Sequence, residues 1–121
     1  MATTVMIVDD SLFMRKILRD LLQKEGYQVV AEASDGVEAV ARYKECRPEL
    51  TTLDIFMPNK TGIEALQEIM AFDPAARVVM CSAVGQESLT VAAEQAGSKG
   101  FILKPFNAEL VVRILKEARE G

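Results

Sequence analysis

The pattern that most constrains this chain is an alternation of short, continuously apolar runs with stretches of helical period, repeated five times. "VMIV" (Val5–Val8) is apolar at every position, as expected of a parallel strand covered on both faces. Met14, Ile17, Leu18, Leu21 and Leu22 then recur at helical spacing, and that stripe stops at Gly26. "YQVVAEA" predicts a second strand, after which Val37, Val40 and Ala41 open another helical stripe. "ELTTLD" follows Pro48 as a third strand, and Ile63, Leu66 and Met70 mark a helix bounded by Gly62 and by Asp73–Pro74. "RVVMCS" predicts a fourth strand; Leu89, Ala92, Ala93 and Ala96 predict a helix closed by Gly97. "KGFILK" predicts the fifth strand, and Asn107 is placed to cap a helix carrying Leu110, Val111, Ile114, Leu115 and Ala118.

The predicted strand ends, near Asp9, Ala33, Asp54, Ser82 and Lys104, lie 24, 21, 28 and 22 residues apart. Each interval holds one crossover helix, which parallel neighbours require. The expectation is a single α/β domain over residues 1–121, a doubly wound five-stranded parallel sheet with helices on both faces. A chain of this length buries roughly two-thirds of its unfolded surface, enough for one core.

Composition narrows the chemistry. With no histidine, the chain has no Ser-His-Asp or Cys-His nucleophile system and lacks the commonest metal ligand. Cys46 and Cys81 are 35 positions apart without a CxxC motif, and Cys81 sits in an apolar run as a small hydrophobe would. A net charge of −4 with no basic run argues against contact with nucleic-acid phosphates. No apolar run approaches the roughly 20 residues of a membrane span, and "MATTVMIVDD" lacks the basic start of a signal peptide. The expected location is cytoplasmic. Carboxylates, hydroxyls and lysines remain to carry function.

Those groups collect at the strand ends, where open α/β sheets bind ligands. Asp9 and Asp10 end the first strand, Asp54 the third, Ser82 the fourth and Lys104 the fifth. Singly, each has a structural explanation. Asp10 or Ser11 can cap a helix, Asp54 can close a strand, Ser82 can bond backbone, and Lys104 can be a solvated charge. Jointly those explanations weaken, because all five fall at one sheet edge. Two like charges about 4 Å apart repel by about 4 kcal/mol at an effective dielectric of about 20, and one lysine cannot neutralise three acids. A hard divalent cation such as Mg²⁺ can. Acidic cluster, lysine and hydroxyl together suit stabilisation of a transferring phosphoryl group, with an aspartate as possible acceptor.

Asp9-Asp10, Asp54 in "TTLDIFMP", Ser82 in "MCSA" and Lys104-Pro105 together resemble the response-regulator receiver domain of two-component signalling, over essentially the whole chain. The resemblance is strongest to stand-alone chemotaxis members, since the chain ends with the fifth helix. It implies a flavodoxin-like (βα)5 fold with strand order 2-1-3-4-5. It implies Asp54 as phosphoacceptor from a chemotaxis-type histidine kinase, and Mg²⁺ held by Asp10, Asp54 and the backbone carbonyl of Phe56, with Asp9 acting mainly through water. Lys104 would pair with phosphoryl oxygens or, at rest, with Asp54, and Ser82 would bond a phosphoryl oxygen. Phe101 matches the family's switch aromatic, and Pro105 would follow a cis bond. The implied partners are that kinase, a flagellar-motor switch protein or another downstream target, and a phosphatase, with the chain itself a monomer and not an enzyme in its own right.

Some positions depart from the common pattern. Ser82 stands where threonine is usual. Phe56 and Val84 are apolar beside the expected acyl phosphate, which predicts slow hydrolysis. Lys60 is expected to weaken Mg²⁺ binding slightly, and nothing in the sequence accounts for the hydroxyl of Thr51 in a buried strand. Two other functions fit the same architecture. A phosphohydrolase using an aspartyl phosphate would want an acid two residues after Asp54, where Phe56 stands; an FMN binder would not place two carboxylates in its first loop.

Overall fold

A computed structural model describes residues 2–83 and 87–121. The strands are β1 (Thr4–Val8), β2 (Gln28–Ala33), β3 (Leu50–Asp54), β4 (Val78–Ser82) and β5 (Gly100–Leu103). The helices are α1 (Leu12–Lys24), α2 (Gly36–Cys46), α3 (Gly62–Phe72), α4 (Thr90–Gln95) and α5 (Ala108–Glu120). All strand pairings are parallel and the sheet order is β2-β1-β3-β4-β5, the doubly wound order expected. Each observed strand ends within one residue of its predicted end.

Continuous apolarity of the strands is explained by two separate cores. Successive side chains of a strand point to opposite faces. Val5 and Ile7 of β1 pack with Leu18 and Leu22 of α1 and Val111, Leu115 and Ala118 of α5. Met6 and Val8 pack on the other face with Ala39, Val40 and Tyr43 of α2, Leu66 and Ile69 of α3, and Ala93 of α4. Among the described residues, no helix is long and apolar enough to cross a membrane.

Local signals set most helix starts. Ser11, Asp35 and Asn107 each accept a backbone N–H three residues on, opening α1, α2 and α5. Thr61 and Glu64 form a reciprocal capping box at α3. Because Ser11 is the cap of α1, Asp10 is not needed in that role. The fourth helix is shorter than its apolar stripe suggested: a 3-10 turn at Glu87–Leu89 precedes only six α-helical residues, and Leu89 makes no side-chain cap. A short helix without a cap relies on packing, which here comes chiefly through buried Ala93.

Candidate phosphoryl-acceptor site

Face parity brings the site together. Asp9 continues the parity of Ile7, Asp54 that of Leu50, and Lys104 that of Ile102, and these three apolar residues share one core. One carboxylate oxygen from each of Asp9, Asp10 and Asp54 lies within 4.8 Å of the others. The Lys104 ammonium sits 2.7 Å from Asp9 Oδ2 and 3.3 Å from Asp54 Oδ1. The lysine is therefore shared, with its shorter contact to Asp9 rather than to Asp54. The other Asp9 oxygen accepts the Ser11 N–H at 2.9 Å, so both oxygens of Asp9 are engaged. Asp10, by contrast, is exposed.

Burial pushes the Asp54 carboxyl up to about 6; Lys104 opposes that rise, while Asp9 and Asp10 add to it. Burial would lower Lys104, but its hydrogen bond to Asp9 and the charges of Asp54 and Asp9 outweigh it and hold the ammonium above its ordinary value. Burial raises the Cys81 thiol to about 12, consistent with a packing role.

Ser82 ends β4 and is buried, and its carbonyl accepts the Lys104 N–H at 2.8 Å. Phe56 follows β3 with its side chain 55% exposed. The loop behind it folds back tightly: Gly62 N–H donates to the Ile55 carbonyl at 2.6 Å, and a Cβ at position 62 would strike the Asp54 backbone. Lys60 pairs with Glu68 of α3. Phe101 is half-buried against the α2–α3–α4 core. Lys104–Pro105 is cis. Val84 lies outside the described residues.

Two residues of the site's surroundings carried no motif. Arg15 donates to the Asp9 carbonyl at 2.7 Å and pairs with Glu32 at 3.2 Å, and Arg19 pairs with the same Glu32 at 2.9 Å. The available signal was Glu32 itself, a carboxylate one residue from the end of the otherwise apolar "QVVAEA" strand.

The acidic cluster fits a hard divalent cation. Its donors are carboxylate oxygens, they converge, and one ammonium leaves them under-neutralised. A cleft of about 410 Å³, lined by Tyr43, Arg47, Glu49, Asp73, Arg77 and Arg119 among others, lies at the opposite end of the sheet, where strands begin. It shares no residue with the acidic cluster.

The five parallel strands in order β2-β1-β3-β4-β5, with three acids and a lysine gathered where they end, place the chain in the doubly wound α/β class. Residues 5–116 match the model of the response regulator receiver domain, and the chain belongs to that family. It is 50% identical over 117 residues to the chemotaxis protein CheY of Bacillus subtilis, covering 97% of this chain and 98% of that protein. The CheY of Thermotoga maritima is 48% identical with the same coverage. A solved complex of CheX and CheY with beryllium fluoride and magnesium, from Borrelia burgdorferi, superposes with a TM-score of 0.90 at 42% identity, over 93% of this chain and 86% of that one. The chain is thus a CheY-like receiver domain of a two-component response regulator.

Proposed function

We propose that Asp54 accepts a phosphoryl group from the phosphohistidine of a chemotaxis-type kinase, with Mg²⁺ held by Asp10, Asp54 and the Phe56 carbonyl. The convergence of three carboxylates, two of them paired with one lysine, is the observation that carries this reading. At neutral pH a carboxyl whose pKa is about 6 is mostly ionised and can act as nucleophile. Its oxygen forms the new bond to phosphorus as the phosphorus–nitrogen bond of the donor breaks, and the departing imidazole takes a proton from solvent. The cation, when bound, supplies charge stabilisation to the phosphoryl oxygens. Lys104 neutralises the same developing charge from the β5 side, and Ser82 donates its hydroxyl to a phosphoryl oxygen. Asp9 keeps Lys104 in place and meets the cation through water.

In this reading the domain acts as a cytoplasmic monomer spanning residues 1–121. Phosphorylation shifts Phe101 and the face built by α4, β5 and α5, changing affinity for a downstream partner, the flagellar-motor switch. The identity to CheY proteins and the magnesium in the Borrelia complex support that assignment. Apolar Phe56 and Val84 slow hydrolysis of the acyl phosphate; polar substitutions at both should shorten its lifetime. The deciding experiment is incubation with Mg²⁺ and acetyl phosphate or phosphoramidate, then mass-spectrometric mapping. Label on Asp54, abolished in Asp54→Ala, is expected. Unmodified wild type, or full labelling of Asp54→Ala, would refute the reading.

A further inference from the structure

We infer that Arg15 is a positioning residue for the cation site, bracing the Asp9–Asp10 peptide while Glu32 cancels its charge. This rests on the reading of the acidic cluster as a Mg²⁺ site. Three observations lead to it. The last pairing along the β1–β3 ladder is Val8 with Leu53, and the Asp9 N–H still donates to Ala33 on β2 at 3.1 Å. The Asp9 carbonyl, at the point where the chain leaves the sheet, instead accepts from Arg15 Nη1 at 2.7 Å. The side chain of Asp9 is fixed by Ser11 and Lys104, but that of Asp10 has no hydrogen bond or ion pair among the described residues. Where the Asp10 carboxylate stands thus depends on the backbone that Arg15 holds.

A guanidinium beside a cation site should repel the cation. Glu32 removes that objection: one oxygen takes Arg15 and the other takes Arg19, with the Arg15 side chain only 14% exposed. Arg15 bonds the carboxylate through Nε and the carbonyl through Nη1, a use of the planar fork that a lysine ammonium cannot reproduce. Outer residues that orient metal ligands in this way typically change metal affinity by about 10- to 100-fold.

The test is calorimetric titration of Mg²⁺ into metal-stripped, unphosphorylated protein, with thermal unfolding in EDTA read separately. Arg15→Ala should weaken Mg²⁺ binding about tenfold. Arg15→Lys, which keeps charge and stem and carries the test if the alanine variant unfolds, should recover little of that loss. Glu32→Gln should also weaken binding, more at low ionic strength, because it leaves the Arg15 charge uncancelled. Variants with lowered unfolding temperature but wild-type Mg²⁺ affinity would reduce Arg15 to a structural residue and overturn the assignment alone. Wild-type protein that takes up no Mg²⁺ would overturn it together with the reading on which it rests.

Discussion

The two edges of the sheet handle polar groups differently. Where strands begin, partners are matched. Tyr43 donates to Asp73 at 2.8 Å, Arg77 to the Ala118 carbonyl at 2.7 Å, and Thr4 and Glu49 exchange bonds at 3.3 and 2.9 Å. Where strands end, three carboxylates converge and one ammonium pairs with only two of them, Asp9 and Asp54. The first arrangement satisfies part-buried and exposed donors and acceptors and serves stability. The second leaves excess negative charge in place, which costs stability unless a cation or phosphoryl chemistry uses it.

The comparison can be broken at either edge. Asp10→Asn should weaken Mg²⁺ about a hundredfold, about 2.7 kcal/mol, while Asp73→Asn leaves it unchanged; titration calorimetry on both reads the contrast directly. In metal-free protein the Asp54 carboxyl has a folded pKa of about 6, above its ordinary value. The folded state therefore holds that proton more tightly, and stability should fall as pH rises from about 4 to about 6, by on the order of 2 kcal/mol. Denaturant melts in EDTA should show this slope in wild type and lose it in Asp54→Asn. Tyr43→Phe removes one bond from the matched edge and should cost about 1 kcal/mol by the same melts, with phosphorylation rate unaltered.

The smallest effect lies between the edges. Thr51 and Thr52 in the middle of β3 have buried hydroxyls without partners among the described residues. Thr51→Val keeps the shape and removes the desolvation penalty, so a gain of about 0.5–1 kcal/mol is expected, read as a higher denaturation midpoint at unchanged slope. Their burial now has a location, but nothing in the structure explains why hydroxyls occupy it.

The fold was legible because its signals are local and periodic. Five apolar runs separated by helix-length intervals leave little choice beyond a parallel sheet, and Asp35 and Asn107 read directly as turn or cap residues. The short α4 was misjudged in length because Leu89 and Ala96 satisfy helical spacing while lying outside the helix, in the 3-10 turn before it and the cap after it. Strand-end position likewise marks Asp9, Asp54 and Lys104 as neighbours, and the structure brings these three together. The partner of Lys60, Glu68, lies eight residues on across a loop and a capped helix turn, so no local pattern announced that pair.

By itself, then, the sequence determined the layer architecture, the edge at which chemistry is placed, and the acidic, histidine-free character of that chemistry. Hydrophobic period and residue type are properties of neighbouring positions along the chain. Only tertiary structure decided that Lys104 leans closer to Asp9 than to Asp54, and that Arg15 reaches back to the Asp9 carbonyl with Glu32 as its counter-charge. Contacts of a few ångströms between residues up to 95 positions apart depend on strand register and helix packing, which no local pattern encodes.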